Sequence, residues 1–176
     1  MSSKPSEVAR LVRGATRYAK ARVRSQRELT AYLDRQDAPR TAAAQVLETL
    51  RRQGLVDDAA CARLWAEHWA RQGYAWSAIQ DKLAAKGLDD AAIASAARSH
   101  GTASADSARA VAAVEHLIRR SPGRVPRSLH PARTDRARVS RWLASHGFDD
   151  ELIGRVLDRV CGPSEEAQDA SPQWRN

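Results

Sequence analysis

Three pairs of neighbouring aspartates come closest to a catalytic pattern: Asp57-Asp58, Asp89-Asp90 and Asp149-Asp150. Paired carboxylates can transfer protons to a substrate or hold a divalent metal ion. Each pair, however, lies within one or two positions of a glycine followed by an apolar residue, as in Gly87-Leu88. Glycine in the left-handed conformation ends a helix, and an aspartate soon after it can cap the next helix. The spacing therefore predicts helix caps rather than a catalytic or metal site.

The other polar residues form no recognised catalytic arrangement. None of the five histidines lies at metal-ligand spacing from a cysteine or a carboxylate, and Glu67-His68 lacks the second histidine of a His-Glu-x-x-His site. The sequence contains no glycine-rich phosphate loop and no serine nucleophile flanked by glycines. We therefore predict a protein that is not an enzyme, with no catalytic residue, no metal and no cofactor.

Arginine and lysine give the strongest functional signal. They total 29 against 21 acidic residues, for a net charge of +8. The excess is concentrated in two zones, because residues 1–40 hold 10 basic and 4 acidic side chains, and residues 119–143 hold 8 and 1. A local excess of one charge attracts acidic or polyanionic partners. A solvated helix face would show the same pattern without any partner, so the charge alone leaves both explanations open.

The two basic zones supply the candidate contact residues. In the first zone, four residues recur every three or four positions and so share one helix face, and two more follow. These six residues are Arg10, Arg13, Arg17, Lys20, Arg24 and Arg27. The second zone surrounds a proline-rich segment and the helix expected after it, and its residues are Arg119, Arg120, Arg124, Arg127, Arg133, Arg136, Arg138 and Arg141. The planar guanidinium group suits carboxylate or phosphate recognition.

The elements that must position these residues are helices. Alanine and arginine, which favour helices, are the most frequent residues, leucine is the most frequent large apolar residue, and apolar residues recur at helical spacing. Ser25 and Glu28 form a capping box that starts a helix. We expect Asp37 to cap the following helix, with Pro39 in its first turn. Cys61 is expected to be a small buried residue.

A repeated pattern organises these helices. Ile79, Leu83, Gly87, Leu88, Asp89-Asp90 and Ile93 match Val139, Leu143, Gly147, Phe148, Asp149-Asp150 and Ile153 at equal spacing, and a weaker copy begins at Leu29. We predict an all-α tandem array of three three-helix repeats, elongated and curved, in which each repeat packs on its neighbour. The predicted repeats are residues 8–56, 57–101 and 102–161. Residues 1–7 are predicted to be flexible, residues 121–131 to form a loop and residues 162–176 to form a disordered acidic tail.

Composition excludes several classes of protein. No apolar run reaches the length of a membrane span, and the first residues lack the apolar core of a signal peptide. Two cysteines 100 residues apart form neither a disulfide framework nor a zinc pattern. We therefore expect a soluble cytoplasmic protein, acting as a monomer away from membranes.

The motifs resemble those of the RecX family. The residues that carry the resemblance are Arg51 to Asp58, Arg71 to Tyr74, the two matched repeats, and the opening Arg24-Ser25-Gln26-Arg27-Glu28-Leu29. Together they span roughly residues 8–160. Two departures are Asp37, where the family usually has glycine, and Cys61, where it commonly has an aromatic residue.

This resemblance implies a regulator of RecA that binds within the groove of the RecA–DNA filament. It further implies inhibition of ATP hydrolysis, strand exchange and coprotease activity, and thereby control of recombination and of the SOS response. The RecA filament is then the expected partner, with single- or double-stranded DNA as a further one. Two alternatives stay open: direct DNA binding without RecA, and a helical scaffold for an unrelated acidic protein.

Overall fold

The computed structural model describes residues 5–120 and 133–161, and within these ranges every element of regular secondary structure is an α-helix. The nine helices of the described residues are α1 Pro5–Ala21, α2 Gln26–Asp34, α3 Arg40–Arg52, α4 Asp58–Arg71, α5 Trp76–Ala85, α6 Asp90–His100, α7 Ala103–Arg120, α8 Arg133–Ser145 and α9 Asp150–Cys161. None of them is both long enough and apolar enough to cross a membrane. The predicted loop at 121–131 and the predicted tail at 162–176 lie outside the described residues.

The helix starts follow local chemistry. The first helix begins at Pro5, so residues 5–7, which we predicted to be flexible, are helical. Proline is favoured in a first turn because its missing N–H would have no helical partner there. The predicted capping box is confirmed: the Glu28 backbone N–H donates to Ser25 Oγ at 3.2 Å, and the Ser25 N–H donates to Glu28 Oε2 at 3.0 Å.

Three turns share a common backbone geometry: the turn between α3 and α4, and the turns between the second and third helices of the second and third repeats. Gly54, Gly87 and Gly147 have φ values of +67°, +74° and +86°. The apolar residue after each glycine donates its N–H back to the helix, as from Leu55 to Leu50 O at 2.9 Å. The aspartates Asp57, Asp89 and Asp149 then accept the N–H of the residue three positions on, at 2.7–2.8 Å. The acidic pairs therefore include helix caps, as the spacing predicted.

The predicted role of Asp37 is wrong. No side chain caps α3, whose N-terminal flanking residue is Pro39. Asp37 itself has φ +53° and lies between α2 and α3, where glycine stands in the later repeats. The Ala38 N–H donates to Leu33 O at 3.2 Å, which corresponds to the bond from the Leu55 N–H to Leu50 O in the turn at Gly54. Aspartate is one of the few residues that tolerate this conformation.

The helices pack into two compact units with separate cores. The first unit contains residues 5–68 and 79–100, and the second contains residues 69–78 with 101–120 and 133–161. The core of α1–α3 includes Leu11, Leu29, Leu33, Val46 and Leu50. The core of the second unit includes Val114, Val139, Leu143, Phe148 and Ile153. Each core is the apolar face that helical periodicity predicts.

Within the first unit, the turn between α1 and α2 closes the end of α5. Ser25 Oγ donates to Lys86 O at 3.0 Å, which satisfies a carbonyl at the C-terminal end of α5. The Gln26 N–H donates to Asp58 Oδ1 at 2.8 Å. The Arg27 side chain lies over Gly87, where an added Cβ would be 1.9 Å from Arg27 Cδ. We call this set of contacts the first linkage.

An equivalent arrangement lies within the second unit, where the turn between α4 and α5 closes the end of α8. The Ala75 N–H donates to His146 O at 2.9 Å, and Ser77 Oγ donates to Gly147 O at 2.6 Å. The Trp76 N–H donates to an aspartate, Asp106, at 2.9 Å. We call this set the second linkage. Residues 69–78 therefore belong to the second unit, although the residues that follow them in the chain, 79–100, belong to the first unit.

Candidate interaction surfaces

The first candidate surface is a row of basic side chains along α1. Its members are Arg10, Arg13, Arg17 and Lys20, and we call it the α1 stripe. All four side chains are exposed, and none forms an ion pair with any residue in the described part of the chain. Like charges this close repel one another, so the stripe favours an acidic or phosphate-bearing partner.

A shallow depression of about 660 Å³ runs beside this stripe. Its lining includes Val12, Thr16 and Ala21 together with three members of the stripe. The apolar and hydroxyl groups lie next to the charges, so a partner can bury the aliphatic parts of the basic side chains while pairing with their charged ends.

Arg24 does not continue the exposed stripe. Its guanidinium carbon lies 4.0 Å from the centre of the Tyr18 ring, and its Nη1 lies 3.5 Å from Glu28 Oε1. Arg22 and Lys86 approach the same carboxylate oxygen at 3.5 and 3.9 Å. One carboxylate thus balances three cations, and Arg24 stabilises the turn between α1 and α2. The sequence could not predict this role, because the ring and the carboxylate meet Arg24 through tertiary packing.

Arg27 is exposed but its aliphatic part is engaged in the first linkage, over Gly87. A partner could therefore reach its guanidinium end without displacing the stem. The structure brings Arg27 close to the second helix of the next repeat and not onto the α1 stripe.

The second basic zone is only partly described. Arg124 and Arg127 lie outside the described residues, and so do the side chains of Arg119, Arg120 and Arg133. On α8, Arg138 and Arg141 are exposed. Arg136 Nη2 donates to Asp158 Oδ1 at 2.5 Å and thereby joins α8 to α9.

Buried ionisable groups lie beside the first linkage. Cys61 is 1% exposed, as expected of a small core residue. Burial, followed by the nearby carboxylates of Asp58 and Glu28, raises the pKa of its thiol to about 11. Burial also raises the pKa of Asp58, although its bond from the Gln26 N–H opposes that shift. A thiol held neutral in this way is a poor nucleophile.

The structure also places together basic and aromatic side chains that sequence reasoning passed over. Arg63 on α4 and Arg98 on α6 contact one serine hydroxyl. In the second unit, His146 stacks between Trp142 and Tyr74, with ring centres 3.7 and 4.7 Å apart. No short-range motif marks either set, because each joins residues from different helices or turns. Within the described ranges, no group of three or more His, Cys, Asp or Glu side chains could hold a metal ion.

Comparison with known proteins identifies the family. Residues 57–96 match the family model of the second three-helix domain of RecX. The chain is 31% identical over 134 residues to regulatory protein RecX of Ectopseudomonas mendocina (strain ymp), covering 76% of this chain and 83% of that protein. The chain belongs to the RecX family. The matched model begins at Asp57 and includes the capping aspartates of the second repeat.

Two solved RecX structures share this fold. The crystal structure of RecX from Lactobacillus salivarius superposes with a TM-score of 0.72 at 18% identity, covering 89% of this chain and 98% of that one. A second crystal structure of regulatory protein RecX superposes with a TM-score of 0.66 at 22% identity, covering 86% of this chain and 71% of that one. The all-α repeat fold predicted from the sequence is therefore confirmed.

Proposed function

We propose that this RecX-family chain is a cytoplasmic regulator of RecA. It acts as a monomer, binds in the groove of the RecA–DNA filament and inhibits ATP hydrolysis, strand exchange and coprotease activity. In this way it restrains recombination and the SOS response. Membership of a family of regulatory proteins supports a regulatory role, and the α1 stripe supports an acidic or phosphate-bearing target.

We choose the α1 stripe as the main contact surface because its side chains form no ion pair with any described residue. Arg24 and Lys86 form ion pairs with Glu28, whereas the four stripe residues form no ion pair with any described residue. Binding an acidic surface or a phosphate backbone there removes repulsion without breaking an existing pair. Arg138 and Arg141 on α8 form a second, smaller contact in this proposal.

The test is ATP hydrolysis by the cognate RecA on single-stranded DNA, titrated with this protein. A variant carrying R10Q, R13Q, R17Q and K20Q removes the α1 stripe. We expect its half-inhibitory concentration to rise about tenfold, since several charge contacts are lost together. A second variant, R138Q/R141Q, measures the contribution of α8.

The matched control carries R35Q, R40Q, R52Q and R159Q, which removes the same charge from other exposed positions. We expect inhibition close to that of the unmodified protein. Equal losses in the control and the stripe variant would reject the stripe as a specific contact. No inhibition by the unmodified protein, with filaments confirmed present, would reject the RecA proposal and favour direct DNA binding.

A further inference from the structure

Two arginines of the first unit converge on a single buried hydroxyl. Arg63 Nη1 on α4 and Arg98 Nη2 on α6 each donate to Ser95 Oγ at 3.1 Å. Ser95 is 8% exposed, whereas both arginine side chains are exposed. A serine oxygen has two acceptor positions, and the two guanidinium groups use both. The hydroxyl therefore holds two positive charges side by side at the surface.

No carboxylate of the described residues forms an ion pair with either arginine. Glu67, one turn further along α4, is not bonded to Arg63. A neutral hydroxyl cannot cancel the repulsion between two guanidinium groups. Each group also keeps donors that Ser95 does not use, because an arginine has five N–H groups.

We propose that Arg63 and Arg98 form a phosphate-binding site for the backbone of a polynucleotide. A single arginine fork already satisfies both oxygens of a carboxylate. A phosphate presents more oxygens in a tetrahedral arrangement, so it can accept from two forks that approach from different helices. The convergence of two arginines therefore favours phosphate over a carboxylate partner.

The setting of the pair favours a polymer over a small free phosphate compound. Small ligands bind in concave sites that bury most of their surface. Arg63 and Arg98 lie on the exposed faces of their helices. A polynucleotide phosphate needs no enclosure, since contacts at other phosphates contribute to the same affinity. This site requires no RecA and lies outside the two basic zones, so it is independent of the proposed function.

The experiment measures binding of a fluorescein-labelled oligo(dT) to the full chain by fluorescence anisotropy, without RecA, over a range of salt concentrations. For the variant R63Q/R98Q we expect the Kd to rise at least about fivefold at low salt, and the salt slope to fall by about 0.7, the value for one single-strand phosphate. The control R35Q/R40Q removes equal charge and is expected to change the Kd less than about twofold. Thermal unfolding checks that both variants remain folded.

The conservative variant R63K/R98K keeps the charge but loses the forks, so its Kd is expected between those of the unmodified protein and R63Q/R98Q. If R63Q/R98Q does not fold, the Kd of R63K/R98K is used for the test instead. Equal losses in R63Q/R98Q and R35Q/R40Q, or no loss in R63Q/R98Q and R63K/R98K, would overturn the site. Poly-glutamate competing as well as oligo(dT) per charge would overturn the preference for phosphate. Arginine-dependent binding of inorganic phosphate alone, without binding of oligo(dT), would overturn the assignment to a polymer.

Discussion

The first and second linkages achieve the same connection with different side chains. In both, the turn before the second helix of one repeat donates to a carbonyl at the C-terminal end of the second helix in the next repeat. In both, a glycine with positive φ lies directly against that turn. The first linkage covers its glycine with the long side chain of Arg27, whereas the second covers Gly147 with Ala78.

The surroundings of the two linkages also differ. Glu28 and the cations around it border the first, and the stacked rings of Tyr74, His146 and Trp142 border the second. The comparison shows that the N–H bond to an aspartate, the accepting carbonyl and the glycine are common to both sites. The donor to that carbonyl and the side chain that covers the glycine differ. The two glycines should therefore tolerate a methyl group differently.

The largest expected effect is at the second linkage. In Gly147→Ala, the new Cβ would lie 2.7 Å from Ala78 Cβ and 3.2 Å from the Ala78 backbone nitrogen. Neither atom can move by a change of rotamer, and φ of +86° is itself unfavourable for alanine. We expect the free energy of unfolding to fall by about 3 kcal/mol in denaturant titrations. A loss below about 1 kcal/mol would mean that the turn shifts freely.

The second prediction tests how completely water is excluded from the Cys61 thiol, beside the first linkage. The Cys61 thiol has an unfolded pKa near 9.0 and a folded pKa of about 11, so the unfolded state releases its proton first as pH rises. Stability from this group is complete below pH 9 and is lost between pH 9 and 11, by up to about 2.5 kcal/mol. Urea titrations over this range measure the loss. Cys61→Ala should decline less steeply, and parallel curves for the two proteins would contradict the burial argument.

The third prediction concerns Glu28, which has no counterpart in the second linkage. Glu28→Gln weakens the capping box and leaves Arg24, Arg22 and Lys86 without a counter-charge. We expect a loss of about 2 kcal/mol in the free energy of unfolding. The control is Glu48→Gln, whose pairs with Arg51 and Arg52 are exposed, and its loss should stay below about 0.5 kcal/mol.

The smallest effect should be at the glycine of the first linkage. In Gly87→Ala, the new Cβ meets Arg27 Cδ and Cγ, which can rotate away, and Arg27 Cβ at 3.0 Å, which is fixed to the backbone. We therefore expect a loss of about 1–2 kcal/mol. The double variant R27A/G87A should recover part of that loss. Gly54→Ala meets no atom within 4 Å and measures the cost of positive φ alone. Equal thermal shifts for Gly54, Gly87 and Gly147 would show that covering side chains do not matter.

Local patterns in the sequence predicted most of the fold. The capping box at Ser25 and the Gly-apolar-Asp turns act within a few residues, so their chemistry is readable from spacing alone. The prediction that Asp37 caps α3 is wrong because aspartate can serve both as a cap and as a left-handed residue, and the sequence does not distinguish the two roles. The two linkages could not be predicted, since Ser25 and Lys86 are 61 positions apart.

For the candidate contact residues, the structure shows which side chains are exposed and which form ion pairs within the chain. Charge spacing found the α1 stripe, whose members are exposed. It also selected Arg24 and Arg136, which the structure engages with Glu28 and Asp158. Periodicity identifies a shared helix face, but an ion pair depends on which distant carboxylate packs against that face. For the same reason the convergence of two arginines on Ser95 has no sequence signal.

The linkages have a consequence for folding during synthesis. In each linkage the donors precede the acceptor in the chain, so Ser25 emerges from the ribosome about sixty residues before Lys86. A repeat can form its own turns as soon as it is made, because those bonds are local, but its linkage must wait for the next repeat. The first linkage can therefore form only after the second helix of the next repeat has been made. A chain cut after Gly101 would lack the acceptors at His146 and Gly147, so the donors of the turn between α4 and α5 would bond to water instead.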